Sequence, residues 1–185
     1  PHIICGGFTK NDTEDALIDL NFLGIQNVLV LRGDAAKGAL HFEPEINGHR
    51  YAIDLLKQVK KLNNGIYLDH EIIDGGKSDF CIGVAGYPEM HFEAASYEDD
   101  LRQLKAKVDA GADYIMTQMF FDNQKFFRFV EDCKSLGINV PIIPGLKPLT
   151  NKKQLTVLPK IFNIEIPKDL SDAINQSTND EDAEQ

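Results

Sequence analysis

The chain has 185 residues, 43% of them hydrophobic, and a formal net charge of −10. Its length suits one domain with an ample core, and its acidic balance argues against nucleic-acid binding, since no local basic patch offsets it. No apolar run approaches the roughly 20 residues of a membrane span, and no secretory leader is expected ahead of Pro1.

Cys5, Cys81 and Cys133 are odd in number, far apart and without a CxxC pair. They point to a reducing, cytoplasmic compartment, with neither a disulfide framework nor a metal site.

Short apolar runs alternate with amphipathic stretches along the chain. "HIIC" (2–5) is the first expected strand. "DTEDALIDLNFLG" (12–24) follows as a helix, with Ala16, Leu17, Leu20 and Leu23 on its apolar side and Gly24 closing it. "NVLVL" (27–31) is the second strand, and a long loop (32–50) carries three glycines. Residues 51–63 form a helix that buries Ile53, Leu55, Leu56, Val59 and Leu62. Residues 64–79 read as a surface excursion. "FCIGVAGYP" (80–88) is the third strand. Residues 96–111 form a helix with Ser96 and Asp99 as a capping box and a stripe of Leu101, Leu104 and Val108. "YIMTQMFFD" (114–122) is the fourth strand, followed by a helix over 123–137. "VPIIPG" (140–145) is the fifth strand. A helix over 151–162 is limited or kinked by Pro159, and a shorter one follows Pro167. The stretch 177–185 is polar and acidic and reads as a disordered tail, leaving 1–176 as the folded part.

Strands that are apolar throughout suit a parallel sheet covered on both faces. A doubly wound sheet and a (β/α)8 barrel both fit, and each places its active site at the carboxyl ends of the strands. Polar residues gather at those ends. Arg32-Gly33-Asp34 follows the second strand. Tyr87-Pro88-Glu89, with His91 and Glu93, follows the third. Gln118 interrupts the fourth, and Lys147 lies beyond the fifth. Gln118 is the sharpest physical signal, because an amide in a buried strand is costly unless it is paired. Satisfaction by neighbouring backbone is the plain alternative. Asp34 as a loop cap, His91 as a surface histidine and the phenylalanines at 120, 121, 126, 127 and 129 as core are the corresponding plain readings.

"LRGD" after one strand, "AGYPEMHFEA" after the next, then "KVDAGADYIMTQMFFD" and "IIPGLKPLTNKKQ", resemble the methylenetetrahydrofolate reductase family in order and spacing. The resemblance covers nearly all of residues 1–165. It implies an α/β fold of the (β/α)8 TIM-barrel family, here an incomplete barrel of about five strand–helix units. It also implies non-covalent FAD and a hydride passed from NADH or NADPH through the flavin to 5,10-methylenetetrahydrofolate, giving 5-methyltetrahydrofolate for methionine synthesis.

Under this resemblance His2, Arg32, Gly33, Asp34, Tyr51, Ala52, Tyr87, His91 and Ala94 line the FAD. Asp100, Gln103 and Lys107 face its ribose, pyrophosphate or adenine end. Asp34 and Gln118 carry the catalytic and pterin contacts, and Gln154 touches the benzoyl-glutamate side of the folate. Self-association is expected of a full-length member. The chain departs from bacterial members at Gln103 (often Asn), Ala106 (often Arg) and Leu158 (a Phe).

The family's first two strands, one bearing a general-acid Glu, and its last strand have no counterpart here. The expectation is therefore an open arc with exposed first and last strands and impaired catalysis. A non-catalytic flavin-binding remnant or interaction module is the alternative.

Overall fold

The alternation of apolar runs and amphipathic stretches becomes an α/β fold. A computed structural model describes residues 1–39, 41–72 and 75–176. The expected tail at 177–185 lies outside the described residues. The elements are β1 (His2–Ile4), α1 (Lys10–Phe22), β2 (Asn27–Leu31), α2 (Ala52–Asn63), β3 (Cys81–Gly86), α3 (Tyr97–Asp109), β4 (Tyr114–Met119), α4 (Asn123–Ser135), β5 (Ile142–Gly145), α5 (Gln154–Phe162) and α6 (Lys168–Gln176). The strands pair in chain order, β1-β2-β3-β4-β5. Each connection carries a helix back across the sheet, which is what parallel neighbours require. In the two pairings with a defined register, β1 meets β2 with Ile3 opposite Val30, and β2 meets β3 with Val28 opposite Ile82, both parallel.

The chain divides into two compact units, one of residues 1–85 and 106–115, the other of 86–105 and 116–185. The first is built on three consecutive buried residues of β2, Val28, Leu29 and Val30, with Ile82 and Val84 of β3 beside them. Helix α2 turns Leu55, Leu56, Val59 and Leu62 inward, as its spacing predicts. Tyr114 reaches across β3 and donates to Val28 O at 3.4 Å. It can do so because position 83 is glycine: a Cβ there would collide with the Tyr114 ring.

The second unit has a core of Leu149, Leu158, Ile164 and Ile174, packed by Met119, Phe121 and Leu155 among others. Phe129, Cys133 and Ile138 are also buried.

Several boundaries shift for local reasons. Helix α1 starts two residues before the expected Asp12, because Thr9 is its N-cap and forms a reciprocal capping box with Asp12. Leu23 is not part of its buried stripe; it sits beyond the last turn and is 69% exposed. Ser96 Oγ does accept from Asp99 N–H at 3.1 Å, while the Asp99 carboxylate pairs with Arg102. Phe127 is not core, being 54% exposed. Helix α5 starts at Gln154 and runs through Pro159 for three more residues.

In the expected excursion, Glu14 accepts from Leu68 N–H, and Asn63 Oδ1 accepts from Ser78 Oγ and Phe80 N–H. The segment is tied to α1 and the end of α2 by polar contacts, and residues 73–74 lie outside the described residues.

Candidate functional site

Arg32, Gly33 and Asp34 continue directly from β2. The Arg32 carbonyl accepts from Cys5 N–H (3.1 Å) and Gly6 N–H (3.2 Å), which joins the carboxyl ends of β1 and β2. Gly33 turns the chain with φ +84°, a left-handed conformation that glycine alone adopts cheaply. The Arg32 guanidinium lies over the Phe42 ring, 5.2 Å from its centroid. Asp34 is exposed. The triplet is thus a strand end fixed by backbone bonds, with its carboxylate turned to solvent.

His2 is placed differently. It opens β1 opposite Leu29, three residues before Arg32 and so about 10 Å away along the strand. Tyr51 is the N-cap of α2 with no side-chain cap bond; it is 55% exposed, and Ala52 follows it. Lys107 donates from Nζ to Ala85 O at 2.9 Å, at the carboxyl end of β3.

In the second unit, Tyr87 and His91 meet edge to face with centroids 4.7 Å apart. His91 Nδ1 accepts from Glu93 N–H, so its ring proton resides on Nε2 when the imidazole is neutral. Asp100 accepts from His91 N–H at 2.8 Å, which fixes the turn after β3 against the start of α3. Ala94 N–H donates to the His91 carbonyl in the same turn. Gln103 is exposed on α3.

Gln118 corrects the reading of a buried amide. It is half-buried, and its Oε1 accepts from the next residue, Met119 N–H, at 3.0 Å. What it can offer a ligand is its Nε2 donors. Its neighbour Thr117 is the buried polar residue of the strand and accepts from Gly145 N–H at 2.9 Å. Gln154 has its carboxamide oxygen engaged by Thr150 N–H at 2.6 Å.

Glu89 and Lys125 escaped the sequence reading as a pair. The Glu89 side chain is only 6% exposed, and its Oε2 pairs with Lys125 and accepts from Glu165 N–H. Lys125 also pairs with Glu165. Burial pulls the Lys125 ammonium down, but its bonds to Glu165 and Glu89 outweigh that and hold it above its ordinary value. A charged residue directly after the third strand was the available signal; its partner, 36 residues away, was not.

The three thiols do not suit nucleophilic chemistry. Burial pushes Cys5 to about 12, with Asp54 adding to the rise and Arg32 opposing it. Burial and then Asp132 push Cys133 to about 12, and Cys81 is also raised, chiefly by burial. A thiol held protonated is neither a nucleophile nor a metal ligand.

A sequence model described as methylenetetrahydrofolate reductase matches residues 1–185. A Caenorhabditis elegans protein named as a probable methylenetetrahydrofolate reductase (NADPH) is 36% identical over all of this chain and 25% of its own length. A rice protein named as a probable methylenetetrahydrofolate reductase (NADH) is also 36% identical, over 98% of this chain and 30% of its own. The chain therefore spans under a third of these two relatives. Among solved structures, a Clostridium thermocellum protein described as binding two copies of 5-methyl-5,6,7,8-tetrahydrofolic acid superposes with a TM-score of 0.58 at 20% identity. It covers 95% of this chain and 53% of that protein, a likeness of fold. With the family pattern matched from the first residue to the last, the chain belongs to the methylenetetrahydrofolate reductase family.

Proposed function

We propose that this chain contributes the flavin- and pterin-facing part of an enzyme that reduces 5,10-methylenetetrahydrofolate to 5-methyltetrahydrofolate, with FAD as cofactor and NADH or NADPH as reductant. The observation that carries the reading is the family match over residues 1–185, with Arg32-Gly33-Asp34 at the carboxyl end of β2. That is the end at which barrel enzymes place their chemistry.

The residues present fit a flavin in kind. A Cβ at Gly33 would meet Ile4 at 3.6 Å, and the φ of +84° would strain any other residue. The β2 end therefore offers a bare, fixed stretch of backbone for a planar ring to approach. Tyr51 is an exposed aromatic at the start of α2, a surface that a ring system could cover. Lys107 holds its ammonium at the end of β3, where charge suits a phosphate. When bound, FAD would supply the two-electron carrier between nicotinamide and folate.

The chain's own residues bind and orient. Asp34 directs a carboxylate at the reacting rings, where it stabilises positive charge developing on the folate. Gln118 offers Nε2 donors to the pterin. The Asp100 bond to His91 N–H sets the turn that presents Tyr87 and His91.

The test is a reconstitution of the protein with FAD, NADH or NADPH and 5,10-methylenetetrahydrofolate, following 5-methyltetrahydrofolate. Formation of that product at a reduced rate, slowed further by Asp34→Asn, is the expected result. Flavin binding with no folate-dependent reoxidation would favour the non-catalytic alternative and overturn the reductase reading.

A further inference from the structure

Thr117 precedes Gln118 in β4 and is 5% exposed. Valine would fill so buried a strand position without a polar atom, whereas a buried hydroxyl costs free energy unless it is bonded. The bond it makes is a particular one: Oγ1 accepts from Gly145 N–H at 2.9 Å.

Gly145 is the last residue of β5. Pro144 before it has no N–H, so Gly145 carries the final backbone donor of that strand. In a parallel ladder such a donor ordinarily goes to a backbone carbonyl; here it goes to a side chain. Gly145 also approaches β4 very closely. A Cβ on it would run into the Thr117 carbonyl oxygen and would stand 3.3 Å from the Gln118 carbonyl carbon. The end of β5 is thus seated on the backbone of Thr117 and Gln118, and the Thr117 hydroxyl ties it there.

Gln118 is held a second time. Its Oε1 accepts from Met119 N–H at 3.0 Å, which leaves the Nε2 donors for a ligand. A carboxamide bonded to the adjacent peptide takes its position from that peptide. Whatever fixes the Gln118 backbone therefore fixes the Nε2 donors as well. All four residues, Thr117, Gln118, Met119 and Gly145, lie in the second unit.

We propose that Thr117 is a positioning residue for the folate: its hydroxyl holds the end of β5 against Gln118 and so sets where the Nε2 donors meet the pterin. The inference rests on the reading of Gln118 as the pterin contact. Thr117 itself touches no substrate in this account.

The test compares Thr117→Val, which keeps the shape and removes the acceptor, with Thr117→Ser, which keeps the hydroxyl. Amide exchange at Gly145, followed by NMR without ligands, is expected to be slow in the unmodified protein and in Thr117→Ser, and faster in Thr117→Val. Calorimetric titration of the FAD-loaded protein with 5-methyltetrahydrofolate is expected to show affinity about tenfold weaker in Thr117→Val, the worth of one weakened hydrogen bond. Thr117→Ser should bind like the unmodified protein, and FAD affinity, read from flavin fluorescence, should be the same in all three. A purely structural role would lower FAD and folate affinity together, and that outcome overturns the proposal. So does unchanged folate affinity in Thr117→Val. Where Thr117→Val does not fold, Thr117→Ser decides: a folded serine variant with folate affinity tenfold down overturns the proposal. An unmodified protein that binds FAD but no folate overturns the pterin reading of Gln118 itself, which separates that failure from failure at Thr117.

Discussion

Asp34 and Gln118 are the residues at which the proposed chemistry can be separated from binding. Asp34 is exposed at the end of a strand whose backbone is otherwise fixed. Asp34→Asn keeps the shape and removes the charge. Loss of one preorganised electrostatic group typically slows the step it serves by about 10²-fold. Rapid-mixing measurement of folate-dependent flavin reoxidation is expected to show that slowing, with FAD affinity little changed. Gln118→Leu should weaken folate binding while leaving flavin reduction by NADH or NADPH intact, because its donors face the pterin in this account. The Arg32-Gly33-Asp34 triplet was legible in the sequence, since charge directly after an apolar run marks a strand end. That Gln118 is only half-buried was not legible, because which of Thr117 and Gln118 turns inward depends on where β5 approaches.

Each element was legible in type and less so at its ends. Buried strands and amphipathic helices announce themselves by period, whereas caps depend on one or two side chains. The start of α1 was placed late because its capping box uses Asp12 where Glu or Gln is usual. Thr9→Ala should therefore cost about 1 kcal/mol, read as a shift in the urea midpoint. Gly145 was legible as a stop but not as a contact. A Cβ there would run into the Thr117 carbonyl oxygen, a backbone atom that cannot swing aside. Gly145→Ala should lower stability by about 1–3 kcal/mol, as overpacking does. Gly24→Ala meets open space and carries only the strain of φ +73°, so it should cost less in the same assay.

For the whole molecule, the buried thiols set an alkaline limit. Cys5 and Cys133 are 1% and 0% exposed and stay protonated in the folded chain up to about 12, against an ordinary value of 9.0. Their contribution is fully present below 9.0. Above it the unfolded chain sheds protons that the folded chain keeps, so stability falls as pH rises toward about 12. Urea midpoints across this range should decline, and the paired substitution Cys5→Ala, Cys133→Ala should flatten the slope. The parallel order of the five strands was legible from the alternation itself; the division into two compact units was not, since it depends on contacts among distant segments. The central claim, that this chain presents a flavin surface at its strand ends, is tested most directly by titrating the protein with FAD and following flavin fluorescence, with circular dichroism recorded alongside. The account predicts saturable one-to-one binding that Gly33→Val abolishes without loss of the folded signal. A folded protein that leaves FAD free in solution would contradict it.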